Sequence, residues 1–311
     1  MPLTAFYDPG FAISLGDHIM PMRKFAMVAK GVESFPDVHL VSPDPATEED
    51  ILRVHTLDYA KAIRNGEPRA LAESQKFPWS PKLYPSVCLT NGAVIAAGKQ
   101  AVRDGASAAL ASGFHHSFAD HGEGFCTFNG LIVAAEKLRA EGVIQSLAIL
   151  DLDLHYGNGT ASLCVTRPWV YALSIYGNDY AENIPYRDVS TRHHEDGENH
   201  FSVAIPNNAD GADMDRLLTE NLPRLLKNGR PDLLLYQAGA DPLRDDPYSP
   251  LNLSHEDLYR RDLQVFEFAK ENQLPVAWVL AGGYTPDTTK VVEAHVNTFR
   301  AWRKAFAPLN S

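Results

Sequence analysis

Leu147-Ala-Ile-Leu-Asp-Leu-Asp-Leu-His-Tyr-Gly-Asn-Gly-Thr160 is the stretch whose reading decides the fold. It opens as an apolar run without a turn residue and reads as a buried strand. It closes in Gly157-Asn-Gly159, which predicts a sharp turn. Between them stand Asp151, Asp153 and His155, at every second position. Alternate residues of a strand share a face. Two carboxylates and an imidazole therefore collect at the end of an apolar strand. Unpaired charges there would cost several kcal/mol, roughly. A bound cation is the simplest way to accommodate them.

Outward from this strand, apolar runs alternate with helical patterns. Strands are expected at residues 3–7, 38–41, 106–112, 170–175, 232–237 and 276–281. Helices are expected at 25–31, 87–102, 129–140, 213–226, 255–270 and 288–305. Thr47 and Asp50 form a capping-box pattern at the start of another. This alternation predicts an α/β fold with three αβα layers and a mostly parallel central sheet. The Pro-rich stretch 66–85 reads as a surface loop over the site, and 176–200 as a long polar loop. Composition does not shift along the chain, so residues 1–311 read as a single domain.

The chain has 45% hydrophobic and 22% charged residues, ordinary for a globular enzyme. Its net charge of −11 does not attract a polyanion, so nucleic acid is not expected as a partner. Cys88, Cys126 and Cys164 are odd in number and far apart, which fits a reducing compartment. Neither a signal peptide nor a run long enough to span a bilayer is evident. A cytoplasmic protein without membrane contact is expected. The sequence assigns no oligomeric state.

Further polar groups follow other apolar strands. Gly113-Phe-His-His116, Gln237-Ala-Gly-Ala-Asp241 and Gly282-Gly-Tyr284 all stand there. Parallel sheets bind ligands at the carboxyl ends of their strands. Asp153, His155 and Asp241 form a plausible zinc set, with a fourth position for water or substrate. Singly, Asp241 could cap a turn before Pro242 and Asp153 could pair with a buried Arg. His115 and His116 suit proton transfer near neutral pH. A second pair, His193-His194, lies in a polar run and reads as solvated surface. Tyr284 can donate a hydrogen bond to a developing oxyanion. Phe125 is either an apolar channel wall or a core Phe. The Gly157-Asn-Gly159 turn lacks the third Gly of a dinucleotide site, and Asp151 and Asp153 would repel a pyrophosphate.

As a set and in this order, these motifs, together with Gly124-Phe-Cys126, resemble the histone deacetylase family, a branch of the arginase/deacetylase fold. Phe114, Asn158 and Phe77-Pro-Trp-Ser are most similar to the class IV type. The resemblance implies one zinc ion on Asp153, His155 and Asp241. It implies His116 as general base and acid, and His115, held by Asp151, as its electrostatic partner. Tyr284 would polarise the scissile carbonyl. A structural potassium ion would sit on Asp151, Ser174 and the carbonyls of Asp153 and His155. Phe125 would wall an acyl-lysine tunnel, with Gly124 and Gly283 beside it. Tyr176 and Tyr180 are candidates for the facing wall. Class I enzymes carry Asp where this chain has Asn158, so the His116 imidazole would be a base of lower pKa.

The expected activity is zinc-dependent removal of an acetyl or longer acyl group from a lysine side chain. The substrate would be an acyl-lysine protein or peptide. The alternatives are a small-molecule amidohydrolase, such as an acetylpolyamine deacetylase, and a non-catalytic acyl-lysine binder.

Overall fold

A computed structural model describes residues 3–16, 18–179 and 197–307. Its centre is one eight-stranded sheet. The strands are β1 (Leu3–Phe6), β2 (Val38–Val41), β3 (Ala106–Ser112), β4 (Leu147–Asp151), β5 (Val170–Tyr176), β6 (His200–Ala204), β7 (Leu233–Ala238) and β8 (Val276–Leu280). They run in the order β2-β1-β3-β8-β7-β4-β5-β6, and every pairing is parallel.

The period-2 alternation of the strands divides two cores. Ala148 and Leu150 face one side of β4, and Leu147 and Ile149 face the other. Helices α1 (Lys24–Val32), α8 (Gly211–Asn221), α9 (His255–Glu271) and α10 (Thr288–Phe306) cover the first side. Helices α3 (Leu57–Asn65), α5 (Leu83–Asp104), α6 (Gly130–Ala140) and α7 (Asn158–Cys164) cover the second. The sheet is thus buried on both faces, which explains why its central strands are apolar throughout.

The Thr47 capping box is present and starts a short helix, α2 (Glu48–Leu52). Three expectations change. Gly157-Asn-Gly159 does not end in a loop: α7 starts at Asn158. The stretch 66–85 is interrupted by a one-turn helix, α4 (Arg69–Ala72), and its end already belongs to α5. The polar run 176–200 delivers an edge strand, β6, at His200. His193, His194 and Tyr180 lie outside the described residues.

Sheet order matters most for the site. β3, β8, β7 and β4 are consecutive neighbours, so their carboxyl ends form one continuous edge. Below that edge, the buried Arg261 of α9 donates to the carbonyls of Leu152 (3.1 Å) and Gly239 (2.8 Å). Its partner is Asp262 at 2.8 Å. Removing a buried ion-pair partner strands the other charge. Arg261→Met should therefore lower the unfolding free energy by about 3–5 kcal/mol, read from urea denaturation of the two proteins side by side.

Candidate active site

The β4 alternation continues past the strand. Asp151 closes β4, and Asp153 and His155 follow on the loop into α7. Asp241 arrives from the loop after β7. Asp153, His155 and Asp241 are all buried, and each offers a ligand atom within 4.8 Å of the others. His155 Nδ1 lies 3.2 Å from Asp153 Oδ1 and 3.1 Å from Asp241 Oδ2.

Backbone amides aim both carboxylates. Gly282 N donates to Asp153 Oδ2 at 2.7 Å, and Leu154 N donates to Asp241 Oδ1 at 3.0 Å. Asp241 is thus held by the loop that carries Asp153, and Asp153 by the loop after β8. Close approach requires glycine here. A Cβ on Gly282 would collide with Asp241 Oδ2 and come within 2.8 Å of Asp153 Oδ2. A Cβ on Gly239 would lie 2.5 Å from Asp153 Cα.

The electrostatics fit a cation. Burial pushes Asp153 up, but His115 and His155 pull it well below the usual carboxylate range. Burial and the Asp153 charge push Asp241 up to about 7. Burial lowers His155, yet Asp153 and Asp241 outweigh it and carry it to about 10. Among the described residues, no lysine or arginine pairs with either carboxylate. Two oxygen donors and one imidazole nitrogen, all desolvated, are the donor chemistry of a divalent metal such as zinc.

The tandem histidines come from the loop after β3, with ring centroids 3.9 Å apart and planes tilted by 43°. His115 Nδ1 lies 2.6 Å from Asp151 Oδ2, a buried pair. Burial lowers the His115 pKa, but Asp151 and Asp153 raise it above the usual value. His116 Nδ1 lies 2.7 Å from Asn158 Oδ1, and its ring is 5.9 Å from that of His155. Its pKa falls well below the usual value. The main cause is burial, followed by the charges of His115 and His155. The Asn158 hydrogen bond pulls the other way.

Tyr284 follows the Gly282-Gly283 turn, with Gly283 at φ +134. Its ring is 6.1 Å from that of His155. Asp246 anchors it by accepting from Tyr284 N at 2.7 Å. Phe125 is half-buried, adopts φ +65, and lies 6.0 Å from the Tyr284 ring. Phe77 stacks on Phe125 at 5.6 Å and His18 meets it edge-on at 4.9 Å. The Pro-rich loop does reach the site, through Phe77 and through Gln75 O, which accepts from Phe125 N. Tyr176 is fully buried against Tyr156, with rings 5.1 Å apart. Ser174 stands opposite Asp151 in the β4–β5 register.

Asp246, Tyr248, Glu123 and Arg261 were not singled out in the sequence. Asp246 and Tyr248 sit in Asp245-Asp-Pro-Tyr248, which reads as a surface turn. Tyr248 stacks edge-on to Tyr284 at 5.6 Å. The closeness of this turn to Asp241 was the available signal.

This geometry defines a buried metal-type centre flanked by an imidazole and a phenol at the rim of a parallel sheet. The histone deacetylase domain profile matches residues 18–299. The chain belongs to the histone deacetylase family, whose members are deacetylases and amidohydrolases and are generally metal-dependent. Histone deacetylase 2 of Arabidopsis thaliana is 30% identical over 93% of this chain and 75% of its own length. Among solved structures, the HDA15 HD domain superposes with a TM-score of 0.78 at 17% identity, covering 98% of this chain and 92% of that one. An acetylpolyamine aminohydrolase from Burkholderia pseudomallei gives 0.73 at 21% identity, covering 97% and 98%. These two likenesses establish the arginase/deacetylase fold.

Gly282→Ala tests the tight packing of the ligand set. The variant should keep its far-UV circular dichroism and lose most of its bound metal, measured by elemental analysis of the purified protein.

Proposed function

We propose that the chain is a zinc-dependent amidohydrolase that removes an acyl group from the side-chain amine of lysine. The observation that carries this reading is the meeting of the Asp153–His155–Asp241 set with His116 and Tyr284 at one sheet edge. Asp153, His155 and Asp241 would hold the zinc ion, which supplies Lewis acidity to a carbonyl and to water.

His116 takes a proton from the attacking water as its oxygen bonds to the acyl carbon. The proton passes to the departing nitrogen as the C–N bond breaks, releasing a carboxylic acid and an amine. His115, paired with Asp151, stabilises charge beside this transfer. Burial, with the charges of Asp153 and Asp241, holds the Tyr284 phenol well above its usual pKa. Tyr284 therefore stays protonated and donates to the developing oxyanion. Phe125, with Gly124 and Gly283 beside it, offers an apolar wall for the lysine methylenes.

Asp151, Ser174 and the carbonyls of Asp153 and His155 would hold a structural potassium ion beside this centre. Asp151, Gly157 and Ser174 line a small cavity there. Phe114 and Asn158 support a class IV-like placement, and the whole chain acts as one catalytic domain. The three cysteines are free and buried, in keeping with a cytoplasmic location. Among the described residues, no helix is long and apolar enough to cross a membrane.

Tyr284→Phe should lower kcat on an acetyl-lysine peptide by about 10²–10³-fold while zinc content stays at the parent level. Unchanged turnover would remove the oxyanion role. Competition among acetyl-lysine peptides, longer acyl-lysines and acetylpolyamines identifies the substrate. The lysine reading requires the peptide kcat/KM to exceed that of the polyamine. Chelation should abolish turnover, and added zinc should restore it.

A further inference from the structure

Glu123 is a buried carboxylate that the reaction above does not use, and it lies behind the base. Its Oε2 accepts from Asn158 Nδ2 at 2.9 Å. Among the described residues, its only ionisable partner is the half-exposed His121, with Nε2 3.7 Å from Oε1. A desolvated carboxylate without a lysine or arginine is costly, so its hydrogen bonds count for more.

The Asn158 amide has two possible orientations. Two contacts select one of them. Glu123, a carboxylate, can only accept, so the Asn158 NH2 must face it. Gly159 N–H can only donate, and it points at Asn158 Oδ1 at 2.9 Å. The Asn158 oxygen therefore faces His116 Nδ1, 2.7 Å away. An oxygen there requires a proton on Nδ1. The neutral imidazole then carries no proton on Nε2. Without Glu123, only the Gly159 N–H would still oppose a turn of the amide. In the turned amide the NH2 would meet Nδ1, and the proton would move to Nε2.

We propose that Glu123 is a positioning residue for the base: through the Asn158 amide it holds His116 in the tautomer with an unprotonated Nε2. The inference rests on the reading of His116 as the base. Where a direct carboxylate would both orient and charge the imidazole, this chain separates the two. Asn158 orients with a neutral oxygen, and the charge sits one residue further out. The same turn ties the device to the tunnel wall. Cys126 N donates to Glu123 O at 2.7 Å, and Phe125 lies between them in the left-handed region.

The test uses zinc-loaded protein labelled with ¹⁵N-histidine, the His116 signals being assigned with His116→Ala. The parent should show His116 protonated at Nδ1. Glu123→Ala should shift it toward the Nε2-protonated form and lower kcat roughly tenfold, with KM and zinc content near the parent's. Glu123→Met removes the acceptor at similar volume and replaces the alanine variant if that one unfolds. Glu123→Gln can still present an oxygen to Asn158, so it should restore the tautomer and most of kcat. In an Asn158→Ala background, Glu123→Ala should add no further loss. An unchanged tautomer in both Glu123→Ala and Glu123→Met overturns the proposal. So does an equal kcat loss with and without Asn158, which would mark Glu123 as a loop staple. A parent that hydrolyses no acylated amine, with the tautomer still switching, overturns the proposed function and sustains the positioning role.

Discussion

The structure depends on desolvated carboxylates held at one edge of a parallel sheet. Asp151, Asp153 and Asp241 are each almost fully buried. Each is tolerated because a backbone amide donates to it. Asp153 N reaches Asp151 Oδ1 at 3.1 Å, Gly282 N reaches Asp153, and Leu154 N reaches Asp241. Charge-assisted bonds of this kind are stronger than neutral ones and fix direction as well as energy. The loops after β4, β7 and β8 are thereby locked to one another. The order β8-β7-β4 in the sheet is what makes that locking possible.

The second dependence is on aromatic packing above this edge. Phe77, Phe125, Tyr284 and Tyr248 form a continuous series of ring contacts, each within about 6 Å of the next. They come from four separate loops. Asp246 joins the series to the carboxylates, because it accepts from the backbone of both Tyr248 and Tyr284. Burial pushes Asp246 up to about 6. The Tyr284 main chain is thus held in place by Asp246.

Much of this was legible in the chain. The spacing of Asp151, Asp153 and His155 after an apolar run pointed to the candidate site, and the strand–helix alternation implied the parallel sheet. What escaped has physical reasons. Asn158-Gly-Thr has poor helix propensity, so α7 depends on packing against its neighbours and not on its own sequence. The edge strand β6, His200–Ala204, is only half-buried at four of its five positions and mixes polar with apolar residues, so no buried-strand pattern marks it. Arg261 stands in a charged helical stretch, Tyr259-Arg-Arg-Asp262, where exposure is the ordinary expectation. Glu123 and Asp246 act through backbone or amide contacts that no spacing rule encodes.

The underside of the site carries the remaining logic. Lys24 is fully buried, and its Nζ donates to Ala281 O at 2.6 Å. Burial lowers its pKa to about 8, although Asp241, Asp153 and Asp246 pull the other way. Arg261 likewise bonds the carbonyls of Leu152 and Gly239. Both cations therefore act on the backbone next to the metal-type carboxylates without touching them. A lysine or arginine in direct contact would neutralise Asp153 or Asp241 and compete with a metal for their oxygens. At one peptide's remove, it still lowers the electrostatic cost of burying them. Their oxygens are left to one another and to His155, as a donor set that a divalent ion could use.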